Sequence, residues 1–307
     1  MFVILTLVFV SLLVLYVKYK HFTSRRSIPS IPGHFLFGNL LQSGLLRGTS
    51  ILQVYTSFKN QLGDIYEINL GFLHAIVVGD IDDVQHIFSH RHIYDQSLTR
   101  REILGEMLMF LIAGFETTST ALAWSIHLLS KHSEVQHKIK AELLKENVHH
   151  DLILDRLDSL IYLDCVVKEI LRFSSPVETV SRTLTMDDRL PKSGIQLYKG
   201  DQIFVPVCIL SRDPRYWSID PELFYPERFL GEDKNHNAYA FLLFGSGRRQ
   251  CIGQDLARFE LKVIVAGLMQ HVTFIDGGSE VNAGGHLPGL TAMPKYVGVK
   301  IKFDSEI

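Results

Sequence analysis

Long apolar runs, short alternating stretches and polar, proline-rich connections succeed one another along this chain. The first run, Phe2 to Tyr19, is apolar except at Thr6, Ser11 and Lys18. As a helix it is about 27 Å long, enough to cross a thin bilayer. Lys18, Lys20, Arg25 and Arg26 follow, and positive charge on that side predicts that the remainder stays cytosolic. A cleaved signal peptide is the alternative, but the charged leading region and the small-residue cleavage site are missing. Residues 1–20 are therefore expected to be a transmembrane anchor. Ile28-Pro29-Ser30-Ile31-Pro32-Gly33 comes next. Proline fixes φ and disfavours helix, so 21–44 is expected to be a stiff, extended Pro/Gly hinge.

Residues 50–62 carry a helical pattern. Ile65 to Leu70 and His74 to Val78, on either side of Gly71, predict a β-hairpin. Asp80 fits the N-cap of a short helix over 81–89. Thr99 and Glu102 fit a capping box that opens a helix reaching about Lys131. Ile103 to Leu129 is apolar on most faces, which predicts burial. A second membrane span there is disfavoured by Glu106, Glu116 and His127. Further helices are expected over 133–146, with Glu134 and Lys138 paired at i,i+4, over 159–173 and over 253–270. Short β pieces fill 180–210, irregular chain fills 213–247, and strands close at 272–275 and 296–303. The fold class expected is mainly α with a smaller β portion (α+β).

The 307 residues are 47% hydrophobic, enough for a sizeable core. A net charge of −2 gives no electrostatic case for nucleic-acid binding. Cys165, Cys208 and Cys251 are far apart, odd in number and without C-x-x-C spacing. That argues against a disulfide framework and a zinc site, and fits a reducing compartment.

The densest chemistry lies in Phe244-Gly245-Ser246-Gly247-Arg248-Arg249-Gln250-Cys251-Ile252-Gly253, which reads F-x-x-G-x-R-x-C-x-G. This spacing suits a haem-thiolate site. A lone thiolate ligates iron from one face, glycines let backbone approach a flat cofactor, and arginine pairs with a haem carboxylate. The helix after Gly253 brings positive partial charge near the sulfur, which favours the thiolate. Ala113-Gly114-Phe115-Glu116-Thr117-Thr118 offers a notch without side chains, then an acid beside an alcohol suited to relaying protons. The hydroxyl of Thr117 is placed to bond back four residues and loosen the turn. Glu169 and Arg172 share a helix face at i,i+3, and Arg228 in Pro226-Glu227-Arg228-Phe229 is expected to join them in a buried, structural triad. Arg248, Arg258 and Lys262 flank the cysteine loop and are candidates to face an acidic partner.

Together these segments resemble a cytochrome P-450, in that family's order; the anchor with its hinge resembles the microsomal members, and Leu98 to Trp124 resembles the animal drug- and steroid-oxidising branch. The resemblance implies that Cys251 is the proximal ligand of a haem b iron and that Phe244 packs beside the haem. It implies that Arg249 and Arg182 contact the propionates, with Gly247 and Gly253 shaping the loop and Ala113 and Gly114 the haem-facing notch. Glu116 and Thr117 would be the acid–alcohol pair. It further implies electrons from NADPH through a reductase, a lipophilic small-molecule substrate, and an endoplasmic reticulum membrane protein with one span and a cytosolic catalytic domain over 45–307. In one respect the chain departs from the family. Ser97 runs almost directly into the oxygen-binding helix at Leu98-Thr99, so the family's central helices are expected to be missing between 97 and 98. Neither Trp124 nor Trp217 is followed by arginine at the spacing of the family's propionate clamp. Three functions stay open: a monooxygenase, a shortened inactive membrane-anchored isoform that still binds haem, and a haem-thiolate isomerase. The acid–alcohol pair favours the first over the third, and the gap favours the second over the first.

Overall fold

The computed structural model describes residues 28–34, 37–70, 73–89, 100–146, 154–287 and 289–304. The expected anchor at 1–20, the start of the expected hinge, Thr99 of the expected capping box and the expected gap at 97–98 lie outside the described residues. The rest forms two compact units, one from residues up to Ser89 with Thr179–Pro206, the other from Arg100–Glu178 with Val207 onward. Helices dominate, with a smaller share of strand, as the sequence pattern predicts.

In the first unit, helix α1 (Ile51–Leu62) begins in a capping box in which Ser50 and Gln53 exchange side-chain-to-backbone bonds. The expected hairpin is present as β1 (Ile65–Leu70) and β2 (Leu73–Val78). Helix α2 (Ile81–Ser89) follows, and Asp80 Oδ1 accepts from Asp82 N at 3.1 Å, the N-cap foreseen for it. Strands β3 (Val180–Thr183), β4 (Asp188–Arg189), β5 (Gln196–Leu197) and β6 (Gln202–Val205) complete the unit. The main sheet runs β1-β2-β6-β3, with β2 and β6 parallel and the other pairs antiparallel. The proline-rich segment is extended and tied to the sheet edge, because Glu67 N donates to Pro29 O at 2.9 Å and Ile28 is buried.

The second unit contains α3 (Arg100–Lys131), α4 (Ser133–Lys145), α5 (Leu154–Ser159), α6 (Ile161–Phe173), α7 (Val207–Leu210) and α8 (Gln254–His271). Strands β7 (Val272–Asp276) and β10 (Val299–Phe303) pair antiparallel near the closing positions expected for them. The hairpin of β8 (Gly284–Leu287) and β9 (Met293–Tyr296) and the short α5 are not legible in the sequence pattern. The core gathers Leu128 and Leu129 of α3, Ile139 of α4, Leu163 and Ile170 of α6, and Val265 of α8. Each fully buried aliphatic side chain of this kind contributes about 2 kcal/mol. Gln136 stitches α4 to β7 with its whole amide: Nε2 donates to Leu129 O and Phe274 O, and Oε1 accepts from Phe274 N. Glu142 caps α6 from outside, its two oxygens accepting from Tyr162 N and Leu163 N at 2.7 and 2.9 Å.

Two expectations are corrected. Helix α3 is buried only over its second half. From Leu104 to Phe115 it is exposed, Leu111 to 72% and Phe115 to 74%. Apolar composition predicts a wish for burial but does not supply the neighbours that would satisfy it. By length and composition Leu104–Lys131 would cross a membrane, yet Trp124, Leu128 and Leu129 occupy the core of the unit. Lys138 pairs with Glu227 rather than with Glu134, because a partner from the loop at 226–229 reaches it more directly than the i,i+4 neighbour.

Candidate haem-thiolate site

The cysteine loop is a tight turn closed on itself. Cys251 N donates to Phe244 O at 2.8 Å, and Gln250 N donates to Gly247 O at 3.1 Å. Gly245 and Gly247 sit at φ 70° and 72°, a region that L side chains rarely adopt, so the turn depends on both. Phe244 packs against the core of the second unit, and the Arg258 guanidinium lies 5.4 Å from its ring centre. Cys251 itself is exposed, whereas Cys165 and Cys208 are buried. Burial pushes the Cys165 thiol up to about 11 and raises that of Cys208 as well, which favours the neutral thiol in both. Helix α8 starts immediately after Gly253 with no side-chain cap on its amide end.

Across the same unit, α3 packs against α8 and carries the second motif. Ala113 and Gly114 are exposed, and a Cβ built on Gly114 meets nothing within 4 Å. Thr117 Oγ1 donates to Ala113 O at 2.7 Å, the back-bond anticipated for it. Glu116 Oε1 accepts from Thr291 Oγ1 at 3.1 Å, and Thr291 Oγ1 lies 2.8 Å from Thr120 Oγ1. The acid and the alcohol therefore have separate partners. Thr291 stands 175 positions beyond Glu116, on the loop between β8 and β9, and no local pattern announces it.

The expected triad is present and fully buried. Arg172 holds Glu169 by both oxygens, at 2.8 Å each, and donates to the carbonyls of Ser211, Pro221 and Leu223. Arg228 Nε donates to Glu169 Oε1 at 3.2 Å. A fourth member, Asp233, completes the cluster. Asp233 Oδ2 accepts from Arg228 at 3.1 Å, so two cations face two anions. Trp217 lies 5.2 and 5.7 Å from the two guanidinium carbons. This cluster pins the irregular stretch before the cysteine loop.

The remaining candidates are dispersed. Arg182 belongs to β3 in the first unit, where it lies 4.7 Å over the Phe88 ring. Arg248 and Arg249 are exposed beside Cys251. Lys262 is buried, with Asp158 and Asp164 at 3.9 and 4.0 Å, so it does not face a partner. Its position on the inner face of α8 accounts for the difference, and its long stem tolerates that burial.

The family model of the cytochrome P450s matches residues 93–299, more than half of the chain. The chain belongs to the cytochrome P450 family. Putative cytochrome P450 CYP13A10 of Caenorhabditis elegans is 32% identical over 241 residues, which is 75% of this chain and 46% of that protein. Cytochrome P450 4V2 of Rattus norvegicus is 38% identical over 176 residues, 56% of this chain and 33% of that protein. The chain thus spans a third to just under half of the length of these P450 relatives.

The residues present fit the haem that P450 membership implies. The one exposed thiol stands on the motif loop, and a Cβ on Gly253 would sit 3.9 Å from its sulfur. On α3, Gly114 faces open space, so nothing in this unit obstructs a planar group there.

Proposed function

We propose that this chain carries haem-thiolate monooxygenase chemistry, with Cys251 as the ligand of a haem b iron. One oxygen atom of O2 enters a lipophilic small molecule, and electrons come from NADPH through a reductase. Residues 1–20 anchor the chain in the endoplasmic reticulum membrane with the remainder in the cytosol. The observation that carries the reading is the exposure of Cys251 on its glycine-shaped loop while the other two thiols are buried. Haem, when bound, supplies the oxygen activation. Cys251 would hold the metal as thiolate, Phe244 would pack beside the haem, and Gly247 and Gly253 would let the backbone approach it. Arg249 would pair with one of its carboxylates, and Ala113 and Gly114 would leave room for it. Glu116 and Thr117 hold the protons that the reaction consumes.

The exposed turns of α3 favour a second reading, in which the chain binds haem but oxidises little. In this reading the family's central helices are missing between 97 and 98. Leu104 to Phe115 present to water the apolar surface that would otherwise exclude it from the chemistry.

The test is the reduced carbon monoxide complex of the full chain. A red-shifted thiolate Soret band is expected, and Cys251→Ala should abolish it. An imidazole-type band in the unaltered chain overturns the ligand assignment. With reductase and NADPH, coupled product is expected on the first reading and little or none on the second, so robust coupled oxidation overturns the second reading and its absence from a haem-loaded chain overturns the first.

A further inference from the structure

Glu116, Thr120 and Trp124 are spaced by four along α3, which places them in one row on one face. All three bond to the same short piece of chain, Thr291-Ala292, on the loop between β8 and β9. Trp124 Nε1 donates to Ala292 O at 2.7 Å, Thr120 Oγ1 meets Thr291 Oγ1 at 2.8 Å, and Thr291 Oγ1 donates to Glu116 Oε1 at 3.1 Å. The loop is held from its other side by Ala292 N, which donates to Pro176 O at 2.9 Å. Thr120 and Thr291 are buried.

A count of protons fixes the direction of this chain of bonds. A threonine hydroxyl has one proton. That of Thr291 is committed to the carboxylate, so the short contact between the threonines is made by the proton of Thr120. The order is Thr120 to Thr291 to Glu116, and it ends on an acceptor. The hydroxyl of Thr117 is committed elsewhere, to Ala113 O at 2.7 Å. The neighbouring alcohol therefore does not orient the acid, and the distant loop does.

We infer that Thr291 is a positioning residue for Glu116. Its hydroxyl, supported by Thr120, fixes where the carboxylate sits on α3 and hence where it holds a proton. The inference rests on the reading of Glu116 as the acid of the site. Loop and helix are coupled through it, so a displacement of the loop between β8 and β9 releases the acid.

The test is infrared spectroscopy of the full chain, without haem, carrying isotope-labelled glutamate. The Glu116 carboxylate band is identified as the one lost in Glu116→Gln. Thr291→Val is expected to shift it, and Thr291→Ser, which keeps the hydroxyl, to leave it in place. An unshifted band in Thr291→Val, or an equal shift in both variants, overturns the inference. Should Thr291→Val fail to fold, the Thr291 hydroxyl proton of the unaltered chain is read by NMR. Slow exchange with water is expected, and exchange as fast as that of a surface threonine overturns the inference. Neither measurement needs iron, so the coupling is decided separately from the ligand assignment, which stands or falls on the Cys251→Ala spectrum.

Discussion

Arg172 grips Glu169 through two parallel bonds of 2.8 Å, and neither side chain touches solvent. The same carboxylate also accepts from Arg228 Nε and from Tyr225 N. Removing the anion would leave two buried guanidiniums facing Asp233 alone. Glu169→Gln should therefore cost about 3–5 kcal/mol, or prevent folding outright. A denaturation midpoint close to that of the unaltered chain would show that the cluster does not hold the fold.

Exposure separates the three thiols. In the native chain a thiol-alkylating reagent should label Cys251 first, with Cys165 and Cys208 reacting only after denaturation. Added haem should protect Cys251. Mass spectrometry of the labelled peptides reads both outcomes, and equal labelling of all three would contradict the burial described.

Trp124 gives its one polar proton to the buried carbonyl of Ala292. Trp124→Phe keeps most of the ring but leaves that carbonyl unmet, so a loss of about 1–3 kcal/mol is expected from denaturant unfolding. An unchanged midpoint would mean that the contact is not made in solution.

Asp83 is fully buried, and its Oδ2 has no hydrogen-bond partner among the described residues. Burial, reinforced by the nearby Asp80, raises its pKa above the ordinary 3.8. The folded state therefore binds this proton more tightly than the unfolded state. Stability falls as pH rises from 3.8 through the folded pKa, and the penalty is complete above it. Asp83→Asn should raise Tm at neutral pH and flatten its pH dependence in mild acid. A lower Tm at neutral pH would reverse the assignment.

Leu111 stands out from α3 with 72% of its surface in water. Leu111→Lys should change unfolding free energy by no more than about 0.5 kcal/mol and should reduce self-association measured by light scattering. A large destabilisation would mean that the residue is covered in solution.

The local part of this structure is legible in the sequence. Ser50 to Leu62, the hairpin around Gly71, the cap at Asp80 and the helix after Gly253 each follow from neighbours a few residues apart. Glu169 and Arg172 were legible because they share a helix face, and Arg228 because it stands in a recognisable segment. Asp233, Thr291 and the Glu142 cap were not, because each acts on a group fixed by tertiary packing. The same limit explains Lys138, whose i,i+4 neighbour lost to Glu227, and α3, whose apolar half has no cover among the described elements.

The row formed by Glu116, Thr120 and Trp124 makes helix pitch part of the site. Each α-helical residue advances about 100° around the axis. One residue inserted or deleted between Glu116 and Trp124 would swing one end of the row away from Thr291-Ala292 while the other end stayed docked. Every α-helical hydrogen bond could survive that change, and the acid would still be lost from its place. The nine residues from Glu116 to Trp124 therefore behave as a ruler, intolerant of a change in length at positions where many changes of side chain would pass unnoticed.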